Sequence, residues 1–155
     1  MNNSPFLQAL RREQNNVPPI WFMRQAGRYL PEYQKIRKNY KNFLDMCKEP
    51  RTCAELALQP IERFDLDAAV IFSDILMLPY GLNQKVEFKK NFGPLLGPLN
   101  LELITKVDEI DFLQKLYPVY KSIKKVSENN LIKNKNIIII FKIFIIHNMI
   151  MQIAF

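Results

Sequence analysis

The chain has 155 residues and a formal net charge of +7, and its lysines and arginines form no block interleaved with aromatic residues. This length is typical of one domain, and a dispersed basic excess argues against a nucleic-acid partner while suiting an acidic ligand. The two cysteines, Cys47 and Cys53, have no second cysteine pair and only one histidine to join them, so the sequence predicts no metal site.

Prolines and capping residues mark the helices of the first part of the chain. Three prolines suit the first position of a helix, where no N–H is needed: Pro5, Pro31 and Pro50. Ser4 suits the position before a helix, because its side chain can accept a hydrogen bond from a free N–H. We predict helices over 5–13, 32–39, a short span from 42, and 50–63. Pro60 should bend the last helix or mark its final turn.

A near-continuous apolar run over 67–72 predicts a strand that is buried on both faces. Ser73 and Asp74 follow it. In a parallel α/β barrel, polar residues at the carboxyl ends of strands face the active site. Asp74 could instead cap a helix over 75–77, and the two roles are compatible.

The second part of the chain predicts a hairpin or extended loop over 85–90, with Gly93-Pro94 and Gly97-Pro98 as turns. A helical turn over 101–105 and a strand over 136–140 are also predicted. Between them a helix capped by Asp108 or Asp111 should reach about Glu128, with a start or a kink near Pro118. We expect one side of it to carry the apolar residues Phe112, Leu113, Leu116, Tyr120, Ile123 and Val126.

Two arginines, Arg24 and Arg28, follow an apolar segment that holds the only tryptophan, Trp21. Because these arginines are four positions apart, they would share one face of a helix. Each guanidinium can bind a carboxylate through two N–H donors. Gly27 between them would let a ligand approach the backbone closely. The pair could bind an acidic ligand, or both arginines could be solvated helix residues.

The segment resembles the N-terminal signature of the uroporphyrinogen decarboxylase family. The residues that carry the resemblance are Pro19, Trp21, Met23, Arg24, Gln25, Ala26, Gly27 and Arg28, followed by 29–33, 58–60 and 66–76. It covers about 4–138 and implies a (β/α)8 barrel, which needs about 250 residues. We therefore expect an α/β fold that forms the N-terminal part of a TIM barrel over 1–138.

The resemblance implies an enzyme of haem biosynthesis, a lyase that decarboxylates the acetate side chains of uroporphyrinogen III to give coproporphyrinogen III. It implies no cofactor, a cytoplasmic location and, for the intact family, a homodimer. Asp74 and Arg24 would be catalytic: Asp74 would accept pyrrole N–H groups and stabilise a cationic ring, and Arg24 would position the reacting acetate. Substrate-binding residues would be Arg24, Gln25, Ala26, Gly27, Arg28 and Asp74.

The last residues, 139–155, depart from the family pattern, since they contain no glycine, proline or acidic residue. We interpret them as the product of a frameshift; a membrane anchor and an aggregating β-prone segment are the alternatives. His147 lies there, and we assign it no role.

Because the expected barrel is incomplete, we expect negligible activity from this polypeptide alone. A non-enzymatic remnant that binds tetrapyrrole weakly or not at all is the main alternative, and a related cobalamin-dependent methyltransferase is another.

Overall fold

The computed structural model describes residues 4–20, 29–64, 66–89, 92–98, 100–134 and 138–140. The helices of these segments are α1 Pro5–Leu10, α2 Pro31–Arg37, α3 Phe43–Cys47, α4 Pro50–Phe64, α5 Met77–Gly81, α6 Leu101–Thr105, α7 Glu109–Glu128 and α8 Asn130–Asn134. The strands are β1 Ala68–Val70, β2 Val86–Lys89, β3 Gly93–Leu96 and β4 Ile138–Ile140. Most of the predicted helices and strands are therefore present among these residues, several with shifted ends, but α5 begins at Met77 and does not lie over 75–77. The first residues of the strand predicted over 136–140 lie outside the described residues.

Capping side chains fix where α3 and α7 begin. The carboxamide oxygen of Asn42 accepts a 3.0 Å hydrogen bond from the Leu44 N–H, and Asp108 accepts one of 3.0 Å from the Asp111 N–H. Each bond satisfies an N–H that has no partner within the helix. Ser4, by contrast, has extended backbone angles before α1 but makes no capping hydrogen bond through its side chain.

Neither internal proline ends its helix. Pro60 is fully buried and α4 continues to Phe64, so Pro60 does not mark the final turn. α7 does not start near Pro118, because Asp108 caps the helix ten residues earlier. The alternatives, a bend at Pro60 and a kink at Pro118, stay predictions. The Ser122 hydroxyl donates a 2.8 Å hydrogen bond to the Pro118 carbonyl, which gives that oxygen a partner inside the helix.

The strands form two separate pairs. β1 and β4 are parallel, with Ala68 opposite Ile138, and α7 lies in the connection between them, as expected of a β–α–β unit. β2 and β3 form an antiparallel hairpin in which Phe88 lies opposite Pro94. Gly93-Pro94 is therefore part of a strand and not the predicted turn; Gly93 has a φ of 84°, a value that suits glycine.

Three packed clusters form the core of the described residues. The first joins α4, β1, α7 and α8 through Ala54, Ala57, Leu58, Ile61, Leu66, Ala69, Ile71, Val126 and Ile132. The second contains Leu30, Tyr33, Met46 and Leu56, and the third contains Leu44, Cys47, Met77 and Val119. Phe43 and Phe72 pack against both the second and the third cluster. Phe72 thus anchors the segment that follows β1, two residues before Asp74.

The outer side of α7 differs from the expected pattern. Leu113 and Tyr120 are both 44% exposed, whereas Val119 and Val126 are buried. Helical spacing separates the two sets, because Val126 packs in the first cluster and Val119 in the third, whereas Leu113 and Tyr120 lie on another side of the helix.

The described residues give a mixed α/β fold with one parallel strand pair. The larger barrel arrangement stays a prediction. No helix among the described segments is long and apolar enough to cross a membrane.

Candidate functional site

Asp74 lies in the loop between β1 and α5, at the carboxyl end of β1. Its Oδ1 atom accepts a 2.9 Å hydrogen bond from the Leu76 N–H, and its backbone carbonyl accepts one of 3.1 Å from the Met77 N–H. The prediction that Asp74 caps a helix over 75–77 is wrong, because α5 begins at Met77 and no side chain caps it. Asp74 instead holds the turn over 75–76 that leads into α5. Since a carboxylate has two oxygens and several acceptor sites, Oδ2 can still accept a hydrogen bond from a ligand.

A cleft of about 520 Å³ opens at Asp74. Its walls come from α2, from the start of α3, from the loop after β1 and from the β2–β3 hairpin. The lining residues are Tyr33, Gln34, Arg37, Lys38, Phe43, Asp74, Phe88, Gly93 and Pro94. A volume of this size falls within the range of small-molecule sites.

The charged residues of the cleft are Arg37, Lys38 and Asp74. One guanidinium nitrogen of Arg37 donates to the Tyr40 carbonyl. A guanidinium has five N–H donors, so others stay available for a carboxylate. Within the described part of the chain, no cation forms an ion pair with Asp74. The cleft therefore offers an acceptor and separate cationic donors to the same ligand.

Aromatic rings support this cleft. The ring centroids of Tyr33 and Phe72 are 6.0 Å apart, and those of Phe43 and Phe72 are 5.9 Å apart. Phe43 also contacts Phe88 of the hairpin, with 5.3 Å between the centroids. These tilted ring pairs are favourable packing geometries, and they join α2, α3 and β2 to the segment that carries Asp74. The cleft consequently has apolar surface for a flat ring beside its charged groups.

A buried thiol, Cys47, lies next to Asp74. Burial raises the pKa of Cys47, and the neighbouring Cys53 and the Asp74 carboxylate raise it further. Burial likewise raises the pKa of Cys53 to about 12, and its Sγ donates to the carbonyls of Met46 and Cys47 at 3.3 Å. Only the thiolate is a good nucleophile, so these cysteines act as packing groups and not as reactive ones.

Of the predicted site residues, Asp74 is the one that the structure describes. Arg24, Gln25, Ala26, Gly27 and Arg28 lie outside the described residues, as does the segment 141–155 with His147. The described segments hold no cluster of three or more histidine, cysteine or acidic side chains that could bind a metal ion.

Sequence reasoning missed Arg37 and Lys38. The available signal was spacing, because Arg37 follows the buried Tyr33 by one helical turn and therefore lies on the inner side of α2. The sequence predicts a helix over 32–39, but the distance of that helix in sequence from Asp74 gives no reason to place the two together.

Comparison with known proteins gives a consistent result. The family model described as Uroporphyrinogen decarboxylase (URO-D) matches residues 1–141. A uroporphyrinogen decarboxylase of Rickettsia africae (strain ESF-5) is 53% identical over 114 residues, which cover 74% of this chain and 33% of that protein. The corresponding protein of Agrobacterium fabrum (strain C58 / ATCC 33970) is 43% identical over 125 residues, covering 81% of this chain and 36% of that protein. The chain thus spans about a third of the length of these relatives, and it belongs to the uroporphyrinogen decarboxylase family.

Proposed function

We propose that the cleft at Asp74 binds uroporphyrinogen and that this chain supplies the N-terminal part of a uroporphyrinogen decarboxylase site. The observation that carries the proposal is the meeting of Asp74 with Arg37 and Lys38 in one cleft with aromatic walls. Uroporphyrinogen has the complementary groups: pyrrole N–H donors at its centre and acetate and propionate carboxylates around its edge.

The binding roles follow from the charges. Asp74 accepts hydrogen bonds from pyrrole N–H groups, and such bonds are strong because the acceptor is ionised. Arg37 and Lys38 hold peripheral carboxylates, Arg37 through two parallel donors and Lys38 as a point charge. Arg24 and Arg28 would add two further guanidinium groups, and the backbone of Gln25, Ala26 and Gly27 would lie close to the substrate.

The reaction needs a positively charged pyrrole ring beside each acetate side chain that loses its carboxylate. Protonation of a pyrrole carbon makes an iminium-like cation. The bond between the acetate carboxylate and its methylene carbon then breaks, carbon dioxide leaves, and the bonding electrons neutralise the ring. A proton added to the methylene carbon, with loss of the first proton, leaves a methyl group. Asp74 stabilises the cation electrostatically, and Arg24 would position the acetate that reacts.

We further propose that 1–138 forms part of a (β/α)8 barrel and that 139–155 lies outside the family pattern. The parallel pairing of β1 with β4 around α7 supports the barrel, because a barrel is built from such units. A cytoplasmic homodimer that uses no cofactor completes the proposal.

Binding can be measured by titrating the purified chain anaerobically with uroporphyrinogen in a calorimeter. Loss of a hydrogen bond to a charged group is worth about 1.5–3 kcal/mol, so Asp74→Asn should raise the dissociation constant by about 10- to 150-fold. Asp45→Asn is the matched control, since Asp45 is an exposed aspartate of α3 that does not line the cleft. Absence of binding, or equal binding by the native chain and Asp74→Asn, would contradict the proposal.

Turnover is tested separately by assaying the same chain for coproporphyrinogen. We expect binding with negligible turnover, because a catalytic site needs its complete supporting shell. Rapid decarboxylation by this chain would show that no further groups are required.

A further inference from the structure

Tyr40 holds the turn between α2 and α3 from two sides. Its hydroxyl lies 2.7 Å from the hydroxyl of Thr52, in the first turn of α4. Its backbone N–H donates a 3.2 Å hydrogen bond to the Arg37 carbonyl at the end of α2, and its ring packs against the second cluster. Tyr40 therefore ties the end of α2 to a helix whose inner side is buried.

Tyr40 also contacts the side chain of Arg37. A guanidinium nitrogen of Arg37 donates to the Tyr40 carbonyl, and both residues are partly buried. A guanidinium is planar, so one fixed N–H restricts the directions in which its remaining donors point. Lys38 is exposed and forms no ion pair with the described residues. Of the two cations in the cleft, Arg37 is therefore the one that the folded chain orients.

The held guanidinium lies close to the Asp74 end of the cleft. Burial raises the pKa of Cys47, the thiol next to Asp74, and the Arg37 charge opposes this rise, so Arg37 lies near the same buried side chain. A mobile arginine loses rotamer freedom when it binds a carboxylate, and this loss weakens binding. A guanidinium that is already held loses less of that freedom, so its orientation before binding affects the affinity.

We propose that Tyr40 is a positioning residue, which together with Thr52 fixes the Arg37 guanidinium so that its remaining N–H donors meet a peripheral carboxylate of the tetrapyrrole. Neither Tyr40 nor Thr52 lines the cleft, so both act through Arg37 and not by touching the substrate. The inference rests on the proposed function and deepens it, because it explains how the chain presents one of the cations that bind the substrate.

Calorimetric titration of the full chain with uroporphyrinogen tests the positioning role. Tyr40→Phe keeps the ring and removes the hydroxyl, and Thr52→Val removes the other hydroxyl while keeping the shape. Each should raise the dissociation constant about 2- to 10-fold, which corresponds to the cost of ordering one long side chain. In an Arg37→Gln background, Tyr40→Phe should have no further effect, because no guanidinium remains to be held.

Two controls accompany these variants. Thr52→Ser keeps the hydroxyl and should restore native affinity, which a loss of shape alone would not explain. Tyr117→Phe removes the hydroxyl of an exposed tyrosine of α7 that does not line the cleft, and it should bind uroporphyrinogen as the native chain does.

The variants separate this inference from the proposed function. Absence of binding, or equal binding by the native chain and Arg37→Gln, would overturn the proposed role of Arg37 and this inference with it. An affinity that depends on Arg37 but not on Tyr40 would overturn this inference alone. The same holds if the loss in Tyr40→Phe persists in the Arg37→Gln background, because the hydroxyl would then act on the fold and not through the guanidinium.

Nuclear magnetic resonance of the free chain tests the contact without a ligand. Rotation of the Arg37 guanidinium about its Cζ–Nε bond should be slow in the native chain and in Thr52→Ser, and faster in Tyr40→Phe and Thr52→Val. Equal rotation rates in the native chain and Tyr40→Phe would overturn the inference, whether or not the chain binds uroporphyrinogen.

Discussion

Asp74 has a structural role that can be separated from its proposed role in binding. Asp74→Ala removes the acceptor of the 2.9 Å hydrogen bond from the Leu76 N–H. A single hydrogen bond of this kind stabilises a protein by about 1 kcal/mol, with a range of about 0.5–1.5 kcal/mol. For a chain of this length, about 1 kcal/mol lowers Tm by about 2–4 °C. Asp74→Asn keeps a side-chain oxygen at the same position, so its free energy of unfolding should stay within about 0.5 kcal/mol of the native value.

Urea denaturation followed by circular dichroism measures both variants, with Asp45→Ala as the control at an exposed aspartate. The control should change the free energy of unfolding by less than about 0.5 kcal/mol. The reasoning would be refuted if Asp74→Asn destabilised the chain as much as Asp74→Ala, because the negative charge and not the hydrogen bond would then hold the loop. The outcome also decides how the binding experiment is interpreted, since Asp74→Asn serves there as a folded variant without the charge.

Three further predictions concern the core, the start of α7 and the buried thiols. Ile61→Ala should lower the free energy of unfolding by about 2–5 kcal/mol in urea, because Ile61 is fully buried in the first cluster; a loss under about 1 kcal/mol would contradict that packing. Asp108→Ala should cost about 1 kcal/mol and Asp108→Asn much less, and equal losses in thermal unfolding would argue against the cap. Burial raises the pKa of Cys53 from 9.0 to about 12 in the folded chain. The free energy of unfolding is therefore fully retained below pH 9.0 and falls as the pH rises toward 12, because the thiol of the unfolded chain loses its proton first. Over that window native stability should fall by about 1.4 kcal/mol per pH unit more steeply than that of Cys53→Ala, and equal slopes would exclude the burial effect.

Local chemistry made most of the helices predictable from the sequence. Asp108 caps the helix that it was expected to cap, because a capping hydrogen bond needs only the residues beside it. Pro60 and Pro118 suggested interruptions, yet α4 and α7 continue through them. Both lie in helices whose inner faces are buried against other parts of the chain, and tertiary packing can outweigh a local preference.

The hairpin shows a similar limit. An extended segment over 85–90 was expected, and β2 lies there. Gly93-Pro94 carries a strong turn signal, yet it lies in β3 and pairs with Phe88 and Lys89 of β2. Proline is compatible with an edge strand, where its missing N–H is not needed for a ladder hydrogen bond. Which side of a strand becomes an edge is decided by the fold and not by the residues alone.

The site was predictable in part. The position of Asp74 at the end of an apolar strand indicated a cap or an active-site residue, and the hydrogen bonds show that its side chain holds the turn before α5 and does not cap that helix. Arg37 and Lys38 became candidates only when the folded chain brought α2 to the same cleft. The resemblance drew attention to Arg24 and Arg28 through a motif, whereas Arg37 is attached to no motif among the segments quoted for the family.

The central claim is that Asp74, together with Arg37 and Lys38 of its cleft, binds a tetrapyrrole that carries many carboxylates. An experimental structure of the chain with bound uroporphyrinogen tests it most directly. We predict pyrrole nitrogens within about 3 Å of the Asp74 carboxylate, as hydrogen bonds require, and a peripheral carboxylate on Arg37. A tetrapyrrole bound elsewhere, or an Asp74 side chain turned into packed protein away from Arg37, would contradict the account.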